Sequence, residues 1–391
     1  MMLLLRNATL RLLFLAQALY WSCSLIGITL TALIGAQLAP LNSLATLPLA
    51  LLVLGNLLAV QPLSLFMQRH GRRRGLMLGA ASGVFGGLLC ALGVQLGDFA
   101  WLCLGALPIG VYQASAMYYR FAALEAVGAA QRGRASAWVI GGGVLAALLA
   151  PSLALWARAA LPTPFVGAYL AIAGLALLGL LITSRLPQGA APRPPRAGLT
   201  SARELLGRPQ VRAAMACTAA GHGLMILIMN ATPLAMQFCG LPLARAADVI
   251  QWHLLGMFLP AFIAGPLVDR LGNRRVSLLG MVLLASSAAV ALAGLSSTLF
   301  LLSSLLLGMG WNLMLVAGTH LLGEGHGEAE RGQAQGLMEQ GNSVMAALMS
   351  FSSGALITSL GWHAVNLLVW PVLLFALALF WPARRRQAAN A

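Results

Sequence analysis

The sequence predicts an all-α membrane protein of twelve transmembrane helices arranged as two six-helix, pseudo-symmetric halves. Three observations predict it. Of 391 residues, 60% are hydrophobic and only 8% charged, against roughly 25% charged residues in ordinary globular chains. Apolar runs long enough to cross a hydrocarbon core, which takes roughly 20 residues, recur twelve times along the chain. Short polar patterns also return at an offset of about half the chain, the mark of a duplicated six-helix unit.

The first span, 10–35, follows a basic start, MMLLLRNATLRLLFLAQALYWSCSLIG, that imitates a secretory leader. Its apolar run continues to about Ala36 with no small-residue cleavage site, so it reads as a retained helix. Spans two to six follow at 43–66, 75–96, 98–119, 135–157 and 163–184. The longest polar interruption, SRLPQGAAPRPPRAGLTSARELLGRPQVR, is rich in proline and arginine and reads as a linker between the halves. Spans seven to twelve are expected at 211–237, 245–268, 276–296, 298–320, 336–358 and 363–382. Span seven carries Pro233 and span eight Pro260, where a bend would free backbone carbonyls toward a cavity. The expected organisation is a six-helix bundle over 1–184, a cytoplasmic linker over 185–210 and a second bundle over 211–391.

Charge sets the orientation. All 24 basic residues are arginine and the net charge is +15, but they sit in short loops, so the charge is a topology signal and points to no nucleic-acid partner. With both termini cytoplasmic, 22 of the 24 arginines fall inside, including Arg72–Arg74, six between Arg185 and Arg212, and Arg384–Arg386; only Arg158 and Arg245 fall outside. Five scattered cysteines with no CxxC pattern argue against a disulfide framework or a zinc site. No soluble domain of useful size remains to house an enzyme or a sensor, so the expected partners are the lipid bilayer and a transported solute.

The repeat is explicit in three places. GPLVDRLGNRR at 265–275 aligns with SLFMQRHGRRR at 64–74 at an offset of 201, Gly110 with Gly310 at 200, and Arg132-Gly133 with Arg331-Gly332 at 199. The 265–275 segment resembles the loop signature G-x-x-x-D-R-x-G-x-R-R of the major facilitator superfamily, carried by Asp269, Arg270, Gly272, Arg274 and Arg275. Gly272 would allow a tight turn, and Asp269, at a helix end, could pair with the following arginines. The resemblance implies the major facilitator fold and a gating loop that locks or releases the halves during alternating access. The first copy departs from the signature, with Ser64 at the glycine and Gln68 at the aspartate.

One constellation stands apart from the scaffold. Met225 and Met229 lie four residues apart on span seven, His253 and Met257 four apart on span eight, and both cross pairs centre on residue 241. Residues i and i+4 share a helix face about 6 Å apart along the axis. An antiparallel turn near 241 would then set Met229 level with His253 and Met225 level with Met257. Three thioethers and an imidazole form a donor set suited to copper, Cu(I) above all. His222 and Met236 fall within about 60° of the same face at 100° per residue, and Asn230 precedes the proline. Any single methionine is most simply core packing, whereas a histidine inside a span is costly and seeks a partner or a cavity. The first-half equivalents, Ser24 and Ile28, offer no such ligands. Asp248 and Glu339 lie at the starts of spans eight and eleven, and the sequence assigns no proton carrier.

MILIMNATPLAMQFCG at 225–240 and VIQWHLLGMFLPAFIAGPLVDRLG at 249–272 are similar to the CcoA-like copper importers, whose MxxxM and HxxxM motifs match Met225, Met229, His253 and Met257. LGMGWNLM at 307–314 and QGLMEQGNS at 335–343 also resemble that group, with Met338-Glu339 where it carries Asn-Asp. The resemblance implies a non-enzymatic carrier in the bacterial inner membrane, without cofactor. Copper would be its substrate, moved inward, passed to a cytoplasmic copper acceptor and supplied to cbb3-type cytochrome c oxidase assembly. The alternative is a carrier of an organic solute such as riboflavin or a lipophilic drug, with the methionine stripe as an apolar cavity wall.

Overall fold

The computed structural model describes residues 7–41, 44–188 and 200–380. Arg6, Arg193, Arg196 and Arg384–Arg386 of the expected cytoplasmic charge lie outside the described residues, as does 189–199 of the linker. The described chain is all helical, with eleven helices long and apolar enough to cross a membrane and a shorter apolar helix, Val369–Phe380, completing the twelfth position.

The chain divides into two compact units. The first, Met1–Val127 with Gly142–Arg196, holds α1 (Ala8–Leu38), α2 (Leu47–His70), α3 (Arg72–Leu96), α4 (Phe99–Ala116), α5 (Tyr119–Glu125), α7 (Gly143–Ala159) and α8 (Val166–Thr183). The second, Gly128–Gly141 with Ala197–Ala391, holds α6 (Arg132–Ile140), α9 (Ala202–Gly207), α10 (Pro209–Phe238), α11 (Leu243–Phe258), α12 (Ala261–Leu271), α13 (Asn273–Leu292), α14 (Ser297–Leu322), α15 (Arg331–Leu367) and α16 (Val369–Phe380). The division departs from a cut at the linker by one segment, because α6 packs on α12 while α7, the remainder of span five, packs on α1. The chain changes unit at Gly141-Gly142, between two helices.

Short polar side chains start several helices. Asn7 accepts from the Leu10 amide, Asp98 from Ala100 and Ser296 from Leu299, each satisfying a first-turn N–H that has no intrahelical acceptor. In the membrane the helices gain little from hydrophobic burial against one another, so close packing of small residues takes over. Gly79, Gly83, Gly86 and Gly93 of α3 lie against Ser115, Tyr112, Gly105 and Leu102 of α4.

The duplication survives in local geometry. Gly71 turns from α2 into α3 with φ 91° and ψ 152°, and Gly272, 201 residues on, turns from α12 into α13 with φ 82° and ψ 157°. Both conformations lie where an L side chain is strained, so glycine is required at each. Immediately after the turns, Arg72 binds Glu125 at 2.7 Å in one unit, and Asn273 donates to Glu324 at 2.6 Å in the other. The same two positions are joined in both copies, once by charge and once by an amide.

Spans four and eight are interrupted, as is span five at Gly141-Gly142. Span four tightens at Met117-Tyr118, where the Tyr118 amide bonds back three residues to Ser115. Span eight breaks at Leu259-Pro260, as expected of a residue that cannot donate. Span seven does not bend apart at Pro233: α10 is continuous to Phe238, and the Thr232 hydroxyl bonds the Ile228 carbonyl at 2.7 Å. Spans eleven and twelve follow one another through α15 across a kink at Gly361, φ 78°.

Candidate functional site

The proposed copper ligands lie in the second unit, on α10 and α11. Met225 and Met257 are buried, His253 is 1% exposed, and Met229 is half-buried. Helices α10 and α11 meet only thinly. Each packs far more extensively on α14, so the two ligand pairs are joined through α14 rather than across a tight α10–α11 seam.

The α11–α14 contact is built on one stripe of α14. His253 Nδ1 lies 2.8 Å from the Ser304 carbonyl. One turn on, Gly308 sits against the α11 backbone, where an added Cβ would lie 2.6 Å from the His253 carbonyl oxygen and 2.7 Å from the Met257 nitrogen. One turn further, Asn312 donates to the Met257 carbonyl at 2.6 Å. Residues 304, 308 and 312 repeat every four positions, which is one face of a helix. Sequence reasoning missed this stripe. Its legible signal was a lone asparagine in an apolar run, four residues after a glycine.

The hydrogen bonds fix two opposite tautomers. A carbonyl can only accept, so His253 carries its proton on Nδ1 and presents a lone pair at Nε2, which is buried without a hydrogen-bond partner. An imidazole held through N–H to a backbone carbonyl is the usual state of a metal-binding histidine. His222 is the reverse: the Trp311 indole donates to its Nδ1 at 3.0 Å, placing its proton on Nε2. Trp311 is buried and meets Phe258 edge to face at 6.3 Å between centroids, so His222, Trp311 and Phe258 tie α10, α14 and α11 together. Of the accessory candidates, Met236 is fully buried, while Asn230 is exposed and donates to Ser350 at 3.1 Å. Trp252 is exposed.

Among the described residues no three His, Cys, Asp or Glu side chains gather as a metal cluster. A copper ion carried here would therefore rest on thioethers and one imidazole. Glu339 on α15 is the one carboxylate among the described residues with almost no exposure, 2%, and Asn342 lies 3.5 Å from it.

The gating-loop residues are placed differently from the sequence expectation. Asp269 pairs with Arg134 of α6 at 2.8 Å, not with the arginines that follow it. Gly272 reverses the chain between them: Asp269 ends α12 facing α6, whereas Arg274 and Arg275 open α13. Gly133 and Gly265 permit the approach, since a Cβ on Gly133 would meet Asp269 Oδ1 at 2.7 Å and one on Gly265 would meet the Arg134 Cα at 2.6 Å. Arg270 and Arg275 are exposed, and Arg274 lies over the Phe380 ring at 5.9 Å.

Comparison with known proteins adds to this geometry. A family model of the Major Facilitator Superfamily matches residues 246–391. The riboflavin transporter RfnT of Brucella anthropi is 37% identical over 370 residues, covering 94% of this chain and 93% of that protein. Among solved structures, the human organic anion transporter MFSD10 superposes with a TM-score of 0.76 at 13% identity, over 95% of this chain and 99% of that one. A bacterial homologue of the iron transporter ferroportin superposes with a TM-score of 0.75 at 16% identity, over 96% and 99%. At such identities the likeness to these two structures shows the fold alone. RfnT is a riboflavin transporter and not a copper importer, which turns the weight of the comparison from the copper reading toward an organic solute.

Proposed function

The chain belongs to the major facilitator superfamily, and from that premise we propose that it carries riboflavin or a closely similar heteroaromatic solute into the bacterial cytoplasm. The observation that carries the reading is the 37% identity to a riboflavin transporter, sustained over 94% of the chain rather than confined to one motif. The arginine distribution supports an inner-membrane setting with both termini cytoplasmic. The test is uptake of labelled riboflavin by a riboflavin-requiring strain expressing the chain. Uptake and growth at low riboflavin are expected; normal membrane levels of protein with neither would overturn the reading.

A second reading, copper as substrate, is favoured by one specific observation. His253 is buried, held by Ser304, and keeps its Nε2 lone pair without a partner, one turn from Met257. Neutral thioethers need no deprotonation and release an ion readily, as a carrier requires. Radioactive copper accumulation that falls in His253→Ala and Met229→Ala at unchanged protein levels would establish this reading. Accumulation equal to empty cells would exclude it.

A further inference from the structure

The C-terminal ends of spans four and ten can be compared position by position, because the repeat carries through them. Arg72, Arg120 and Glu125 of the first unit correspond to Asn273, His320 and Glu324 of the second, at offsets of 201, 200 and 199. In the first unit Arg72 pairs with Glu125 at 2.7 Å, and Arg120, buried, donates to the Met117 carbonyl and lies over the Phe121 ring at 4.8 Å. In the second unit an amide and an imidazole stand where those two permanent cations stood. Imidazole is the side chain that gains or loses its charge between roughly pH 5 and 8.

His320 lies half-buried in the last turn of α14, where the helix carbonyls favour a positive charge. The rings of His222 and His253 are each held through a nitrogen by a neighbouring group, whereas His320 Nδ1 is buried with no hydrogen-bond partner. The charges that act on it come from three elements. Asp269 reaches it from the end of α12, Arg132 from the start of α6, and Glu324 from the turn that follows α14 itself. From α13 comes neutral Asn273, which donates to Glu324 at 2.6 Å. Asp269 is also the carboxylate that holds Arg134, at 2.8 Å. One carboxylate thus stands between a permanent cation on α6 and an imidazole on α14.

We propose that His320 is a proton-binding site that controls the Asp269–Arg134 pair: the protonated ring takes over Asp269, repels Arg132 and releases α6 from α12. While His320 is neutral, Arg134 is the cation that meets Asp269. When solvent supplies a second ring proton, the new charge competes for that carboxylate and pushes on Arg132, two residues from Arg134 on the same helix. Both effects act on α6 in one direction, so acid loosens it. Linkage makes the effect reciprocal: departure of Arg134 leaves Asp269 to the imidazole and draws a proton to it. Opening at this end of the second unit is thereby tied to proton uptake, whichever solute is carried.

The experiment is amide hydrogen exchange of the full, detergent-purified chain, read by mass spectrometry on the α6 peptide and corrected for the chemical effect of pH. From about pH 7.5 to about pH 5.5, across the range in which imidazole titrates, exchange in α6 is expected to rise roughly fivefold, while α13 holds steady. That is the low end of coupling between two sites, because the Arg134 side chain is 43% exposed and its pairing is screened. His320→Gln is expected to exchange slowly in α6 at both pH values. His320→Arg, which restores the first unit's residue type, is expected to exchange fast at both; should that variant not fold, His320→Gln decides alone. A parent with the same α6 exchange at both pH values overturns the inference, as does a His320→Gln protein that keeps the full response. A rise spread evenly over the second unit overturns it too, since the proton would then loosen the fold and not the pair. The readout uses no solute, so its failure leaves the riboflavin reading untouched.

Discussion

Replacing Gly308 with alanine adds one methyl group where α14 crosses α11. Its Cβ would lie 2.6 Å from the His253 carbonyl oxygen, 2.7 Å from the Met257 nitrogen and 2.8 Å from the Gly256 carbonyl carbon. All three are backbone atoms, so no side chain can swing aside, and the helices must part by about 0.8–1 Å to regain ordinary contact near 3.5 Å. Such a separation stretches the 2.8 Å His253–Ser304 and 2.6 Å Asn312–Met257 hydrogen bonds toward or past their working range of roughly 3.2 Å. Overpacking costs about 1–3 kcal/mol and each weakened bond about 0.5–1.5 kcal/mol, while alanine returns about 1 kcal/mol of helix propensity. The net destabilisation is about 1–5 kcal/mol, which lowers the unfolding temperature of a unit this size by roughly 2–20 °C. Thermal unfolding of detergent-purified protein measures it, with Gly174→Ala as the control, since a Cβ at Gly174 meets nothing within 4 Å. If Gly308→Ala unfolds no earlier than Gly174→Ala, the close crossing does not exist and the registry argument for His253 falls with it.

Three further outcomes follow from the same structure. Asn312→Leu leaves the Met257 carbonyl without its side-chain donor and should cost about 1–3 kcal/mol in the same melt; a neutral change would mean that Asn312 does not hold α11. Gly71→Ala and Gly272→Ala both force a left-handed backbone on an L residue and should each cost about 1–2 kcal/mol. Similar losses are expected because the turns share one geometry, and a loss at only one would argue against the structural repeat. Asp269→Asn removes the charge facing Arg134, whose side chain is 43% exposed, so the stability cost should stay below about 1 kcal/mol after solvent screening. Solute uptake should change rate far more than the melt shifts, and a large drop in stability with normal uptake would assign the pair to the fold alone.

The spans were legible because hydrophobic length alone sets them, and the loop glycines because Gly71 and Gly272 sit 201 residues apart in matching contexts. The break at Leu259-Pro260 was written in Pro260. Pro233 carried the same signal with a different outcome: α10 continues through it, with Thr232 bonding the Ile228 carbonyl in the preceding turn. The change of unit at Gly141-Gly142 had a plain cue in three consecutive glycines, 141–143, yet span five read as one apolar run. That His253 and Met257 share a face followed from their spacing. Their partners did not, because Ser304 and Asn312 come from 51 and 55 residues away through a helix crossing that no local pattern encodes.

The stripe of Ser304, Gly308 and Asn312 also has a mechanical meaning. It clamps α11 to α14 over His253 to Met257, so within the second unit these helices behave as one beam and cannot slide along each other without breaking two hydrogen bonds. The clamp ends at Met257, two residues before Leu259, and at Leu259-Pro260 the span has lost its helical continuity. Any swing of α12, with Asp269 at its tip, would then pivot at that joint while the segment bearing His253 stays still.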